Sequence, residues 1–405
     1  MKIKMVVFFA INAAEFNYLL PILKKLGGEF VTASKDLYNF VTSKYPSIRC
    51  HLGEIHNLSS YCPSVIVLAG NYGWFPSTKE VKLVQVFHGL SDKRSIYRKS
   101  NFKNPSGLLY LMSAFIELYL PSWSRKFSLM SDELWGPLKH LRLDRLMRNR
   151  FDLLCLVGKH MEEKFRELNL LTENNWEAVG FPRLDCVANN ELSREDIFKD
   201  LNLDSSLMTV LYAPTWRGSQ EMNLSSIPDM GLEILKSVDD NVNLIFKPHP
   251  NVKRLNEFPE TLKEIERYIA KHPNFVYPCV MCDIIPLMYI SDVLITDYST
   301  VAIEYFAFNR PIIFLDHLRE KYDDSNLVEV WIREAGEIVQ NKNELRGAIK
   351  RSINNPSHKS EIRKEYRDYF FYPLDGRASE RAANAIIQLE KSRSKLANEI
   401  PIIIA

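Results

Sequence analysis

The strongest constraint on this chain is an alternation that repeats along most of its length. Short β-branched apolar runs are each followed by a stretch with helical amphipathic spacing. Residues 5–9, 64–69 and 83–87 read as buried strands of a first block. Residues 151–157, 209–213, 243–247, 292–296 and 311–315 read as strands of a second. Uninterrupted apolar runs of this length suit strands covered on both faces, and stretches such as 159–168 and 257–270 supply covering helices. Such alternation calls for parallel sheets, because each crossover must carry the chain back over a face of the sheet. Two blocks therefore predict two doubly wound α/β domains. In a chain of 405 residues, 46% of them hydrophobic, there is apolar material for two cores. The boundaries predicted are 1–150 for the first domain, 151–376 for the second and 377–405 for a C-terminal helix and tail.

Residues 92–150 break the pattern. Between Asp92 and Met130 the only acids are Asp92 and Glu117, against Lys93, Arg94, Arg98, Lys99, Lys103, Arg125 and Lys126. An apolar segment, 108–120, carries Tyr110, Phe115 and Tyr119 and is followed by Trp123. Arg142, Arg145 and Arg148 then recur every third residue and share one helix face. This combination suits an element lying on an anionic membrane surface. The alternative is a helical insertion packed on its own domain with a solvated basic face. The net charge is only +2, and no nucleic-acid motif accompanies the cluster, so nucleic acid is not expected as a partner. No uncharged apolar run reaches eighteen residues, which argues against a spanning helix. The N-terminus reads as a first strand entering a helix rather than as a leader. Six cysteines in a chain this long suggest reduced, structural thiols of a cytosolic protein, and Cys279 and Cys282 form a CxxC with no second pair at zinc spacing. No Asp-x-Asp occurs, so no tightly bound metal or cofactor is expected; a loosely bound divalent ion stays open.

Four turns carry chemistry. In the first, strand 292–296 runs into Asp297-Tyr-Ser299-Thr300 and then a helical pattern containing Glu304. A strand end, hydroxyls and a helix start make an anion site, with Glu304 about one turn on, within reach of a ribose. In the second, Lys247-Pro-His249-Pro250 ends another strand and holds a histidine between two prolines. In the third, His88-Gly89 ends a strand of the first block and offers a base suited to neutral pH. In the fourth, Ala213-Pro-Thr215-Trp-Arg217 delivers a guanidinium, a natural phosphate partner.

These segments, with Gly180-Phe-Pro182-Arg183-Leu-Asp185 and Asp375-Gly-Arg-Ala-Ser379, occur in an order that resembles the CDP-glycerol glycerophosphotransferase family, the teichoic-acid primases and polymerases. The match runs over residues 80–390, departing at Leu90-Ser-Asp-Lys93 and in the stretch 317–326. The resemblance implies a GT-B arrangement, in which two Rossmann-like domains face a central cleft and a C-terminal helix crosses back to the first. It implies a CDP-glycerol or other CDP-polyol donor, a lipid-linked saccharide or polymer acceptor, release of CMP, and a cytoplasmic protein held on the inner membrane leaflet. His88 and His249 become the catalytic candidates. Arg217, Asp297, Ser299 and Thr300 become donor-phosphate contacts and Glu304 a ribose contact. Gly89, Thr215, Lys247, Arg183 and Asp185 belong to supporting loops. A sugar-nucleotide glycosyltransferase, a UDP-sugar 2-epimerase and a non-catalytic nucleotide-binding protein are the rival readings on the same scaffold.

Overall fold

Two all-parallel sheets organise the chain, each built around apolar runs whose central strands are buried on both faces. The computed structural model describes residues 5–54, 58, 60–70, 81–86, 151–167, 170–216, 218–219, 222–223, 225–279, 281–316 and 328–399. The first sheet contains β1 (Val6–Phe9), β2 (Glu29–Thr32), β3 (Arg49–Leu52), β4 (Val65–Leu68), β5 (Lys82–Val86), β6 (Leu153–Leu156) and β7 (Trp176–Ala178), in the order β3-β2-β1-β4-β5-β6-β7. The second contains β8 (Met208–Tyr212), β11 (Val242–Phe246), β12 (Phe275–Val276), β13 (Val293–Thr296), β14 (Ile312–Leu315) and β15 (Glu337–Val339), in the order β12-β11-β8-β13-β14-β15. A small antiparallel hairpin, β9 (Gly218–Ser219) and β10 (Met222–Asn223), follows β8. In both large sheets the chain starts centrally, builds outward to one side, then returns and builds to the other. The reversal lies between β1 and β4 in the first sheet and between β8 and β13 in the second. Doubly wound sheets bind ligands at such switch points, beyond the C-terminal ends of the strands.

One boundary is corrected. The strand at 151–157, assigned above to the second block, pairs with β5 in the first sheet, Val84 opposite Leu153 and Val86 opposite Cys155. The first domain therefore continues through β7. The compositional break at 92–150 lies inside the β5–β6 connection and does not mark the domain boundary.

The C-terminal helix runs from Ala378 to Glu399 and packs on α1 (Ala13–Leu26) of the first domain, also touching β5 and β6. Its start is fixed by Asp185. That carboxylate accepts the Ala378 N–H at 3.0 Å through Oδ1, and the Ser379 N–H at 2.7 Å and the Ser379 hydroxyl through Oδ2. Such a cap contributes about 1 kcal/mol. The turn before it needs Gly376, at φ +71°, where a Cβ would sit 2.0 Å from the Asn189 side-chain oxygen. Two separate sequence motifs thus form one device that returns the chain to the first domain. Among the described residues no helix is long and apolar enough to cross a membrane.

Candidate functional site

A cleft of about 370 Å³ opens between the domains at the two switch points. The first domain contributes the start of α1, including Asn12, Asn17 and Tyr18. The second contributes the loops beyond β8, β11 and β13, including Thr215, Trp216, Lys247, His249, Ser299, Thr300 and Glu304.

Asp297 organises the second-domain wall. Its Oδ1 accepts the Thr215 N–H at 2.8 Å, and its Oδ2 accepts both the N–H and the hydroxyl of Ser226 at 2.8 Å. Thr296 adds a hydroxyl bond to the Ala213 carbonyl at 2.7 Å. The loop that leads to Arg217 is therefore pinned to the end of β13. This corrects the reading of Asp297 as a phosphate contact. It is 1% exposed, it does not line the cleft, and a carboxylate whose oxygens already hold three donors would repel a phosphate rather than bind it. Thr215 is buried in the same contact and lends its backbone to it.

His249, Lys247 and Ser299 bring protons to give to the second-domain wall of the cleft. His249 has the extended backbone that a following proline favours, φ −58° and ψ 139°, and Pro250 opens the short helix Pro250–Arg254. Its Nδ1 accepts the Asn251 N–H at 3.1 Å, which leaves the proton of the neutral ring on Nε2, a donor. Its ring stacks on Trp216 with centroids 6.2 Å apart. Lys247 is 4% exposed, and its ammonium donates to the Cys279 carbonyl at 3.1 Å. Burial lowers its pKa, an effect partly offset by Cys282, Cys279 and Asp283. Ser299 accepts the Val301 N–H at 3.4 Å and keeps its own hydroxyl proton to donate, and Thr300, half-buried, follows it. The helix they precede is short, Val301–Tyr305, and closes in a 3-10 turn, Phe306–Phe308.

Glu304 has partners that the sequence does not suggest. Its Oε1 accepts the Tyr18 hydroxyl of the first domain at 2.5 Å, and its Oε2 pairs with the Arg183 guanidinium at 3.1 Å. Arg183 also pairs with Asp283 and lies over the Tyr18 ring, 4.4 Å from its centroid. Burial works against the charge on Arg183, but Asp283, Glu304 and Tyr18 more than offset it, so its pKa lies above that of an ordinary arginine. Glu304, read above as a ribose contact, is thus already engaged through both oxygens in a tie between the domains. Arg183 belongs to the same tie, while Asp185 caps the crossing helix.

His88, Gly89, Arg217 and the basic face of Arg142, Arg145 and Arg148 lie outside the described residues. Two cleft residues, Asn17 and Tyr18, escape a reading by motif, as does Asp283, the second partner of Arg183. The first two follow β1 at a switch point, and that placement is the only signal the sequence holds for them.

A family model described as CDP-Glycerol:Poly(glycerophosphate) glycerophosphotransferase matches residues 137–388. The chain is similar to a teichoic acid glycerol-phosphate transferase of Staphylococcus aureus, 26% identical over 250 residues that cover 59% of this chain and 61% of that protein. It therefore spans less than two thirds of that relative's length. Its fold is that of the wall teichoic acid polymerase TagF, TM-score 0.66 at 19% identity, covering 97% of this chain and 90% of that one. A UDP-GlcNAc 2-epimerase from Neisseria meningitidis bound to UDP-GlcNAc shares the fold at TM-score 0.56 and 12% identity, covering 96% and 100% of the two chains.

Proposed function

We propose, from the premise that the chain belongs to the CDP-glycerol:poly(glycerophosphate) glycerophosphotransferase family, that it moves glycerol phosphate or a related polyol phosphate from a CDP-activated donor to a hydroxyl of a lipid-linked or polymeric cell-surface glycan, releasing CMP. The observation that carries this reading is the convergence of the Lys247 ammonium, the His249 ring and the Ser299 hydroxyl on one cleft at the switch point. Among the described residues, a pyrophosphate there meets hydrogen-bond donors and the Lys247 ammonium, and the one lining carboxylate, Glu304, is already paired.

In this reading the acceptor oxygen loses its proton to His88 and attacks the β-phosphorus, which carries the polyol. The bond from that phosphorus to the bridging oxygen breaks, and its electron pair leaves with CMP. His249 Nε2–H, Ser299 and Lys247 meet the charge that gathers on the leaving and transferring phosphates, and Arg217 joins them. Such chemistry is mainly positioning and electrostatic stabilisation, so the chain's own cations suffice and a divalent ion would arrive with the donor.

The panel that tests the reading is calorimetric binding of CDP-glycerol, CDP-ribitol, CMP and UDP-GlcNAc. CDP-linked donors are expected to bind selectively, and His249→Ala to weaken them about tenfold, the cost of one hydrogen bond to a charged group. Equal binding of UDP-GlcNAc would turn the reading toward sugar-nucleotide transfer or epimerisation. Binding without turnover on any acceptor would turn it toward a non-catalytic protein.

The same proposal places the protein at the cytoplasmic face of the membrane, where a lipid-linked acceptor is presented. The basic and aromatic residues of 92–150 support it. Replacing Arg142, Arg145 and Arg148 with glutamine is expected to release the protein from vesicles containing anionic lipid. Unchanged co-sedimentation would assign the basic face another purpose.

A further inference from the structure

We infer that Asn17, on the first-domain wall of the cleft, is a ligand-contact residue that reads a vicinal diol of the bound nucleotide-polyol. The inference rests on the functional reading above and adds a contact which that reading lacks. Asn17 is 6% exposed and lines the cleft, yet its carboxamide has no hydrogen-bond partner among the described residues. Other buried asparagines differ. Asn175 donates to the Leu170 carbonyl at 3.0 Å and accepts the Thr172 N–H at 2.7 Å, and Asn243 donates to the Asp204 carbonyl at 2.7 Å. Asparagine is also a weak helix former, and Asn17 lies within the fourteen-residue α1. Pro21, one turn on, has no N–H to give the Asn17 carbonyl. An alanine would serve the helix better in propensity, so the amide breaks a local rule in favour of the cleft.

Its position is held from the next residue. Tyr18 is tied to Glu304 and covered by Arg183, which seats this part of α1 against the second domain. Because Glu304 is occupied, Asn17 is, among the described residues at this end, a buried group with its full hydrogen-bonding capacity left to meet hydroxyls. A carboxamide offers one acceptor and two donor hydrogens, which match the O–H of one hydroxyl and the oxygen of its neighbour. A cytosine ring instead asks for an aromatic face, and Trp216 offers one on the opposite wall. Both ribose and glycerol phosphate carry a vicinal diol, so the chemistry is shared and the probes must separate the two.

The experiment is calorimetry of the full chain and of Asn17→Ala with CDP-glycerol, CDP, CMP and 2′,3′-dideoxy-CMP, with thermal unfolding alongside. Asn17→Ala is expected to bind CDP-glycerol about tenfold more weakly while its Tm is unchanged or higher. A loss shared by CMP but absent for the dideoxy nucleotide assigns the ribose diol. A loss confined to CDP-glycerol assigns the glycerol diol. Asn17→Asp, which keeps the acceptor, removes the donors and adds a negative charge, is expected to bind at least as weakly. Unchanged affinity for every probe, or an equal loss for the dideoxy nucleotide, overturns the inference while the functional reading stands. If the unsubstituted protein binds no cytidine ligand, the functional reading fails and this inference with it.

Discussion

Transfer by a His88→Ala variant is expected to fall about a hundredfold or more, with CMP binding near that of the unsubstituted protein. The reason is a division of labour between the domains. The donor-phosphate contacts proposed here all come from loops of the second sheet. His88 follows β5 of the first sheet by two residues in the sequence. In the proposed function it takes the proton of the incoming hydroxyl and makes no contact with the nucleotide. Removing it should leave kcat depressed and nucleotide affinity intact. The neutral His249 cannot replace it, because its Nδ1 is committed to the Asn251 N–H and its Nε2 holds a proton. The measurement is single-turnover transfer beside calorimetric CMP binding. Near-normal turnover would remove His88 from the base role, and loss of CMP binding would move it into the donor site.

The second large effect is on stability. Arg183→Met is expected to destabilise the protein by about 3–5 kcal/mol, because it leaves Glu304 buried without its cationic partner. Glu304 and Arg183 are 4% and 6% exposed, so water cannot take over for the missing guanidinium. The replacement also strips the cover from the Tyr18 ring and frees Asp283. A double variant, Arg183→Met with Glu304→Gln, should recover a substantial part of the loss, since the residual charge is then gone. Urea unfolding of the two single variants and the double variant gives the coupling directly. If the losses simply add, the pair does not act as a unit, and the inter-domain tie has no energetic content.

Legibility followed the physical range of each interaction. The eight strands read from apolar runs all form, with ends shifted by one or two residues, because burial on both faces leaves a continuous signature in the chain. Several of the missed strands have weaker signatures: β3, β7 and β15 are edge strands with exposed or half-buried residues, and β12 has two residues, so pairing with a neighbour rather than composition creates them. β2 is buried throughout, but its four residues begin with Glu29 and give too short an apolar run to read. The domain boundary failed for a related reason. A change in composition marks where the surroundings of the chain change, and here that change falls within a crossover of one sheet.

The turns behaved differently again. Their residue types did identify the family, because anion binding needs hydroxyls, cations and free N–H groups at strand ends, and these leave a local pattern. What each residue does there depended on partners far along the chain. Asp297 looked like a phosphate contact and is instead the pin between Thr215 and Ser226. Glu304 looked like a ribose contact and instead meets Tyr18, 286 positions away in sequence. Asp185 looked like part of a supporting loop and caps a helix that begins 193 positions later. The sequence by itself determined two doubly wound sheets, the crossing helix and the phosphate-type loops, since periodicity, capping residues and proline placement act over a few residues. Only the tertiary structure decided which carboxylates face the cleft and which are spent within it. A charged side chain in a packed interior takes its role from whichever donors the fold brings within about 3 Å, and no local pattern records them.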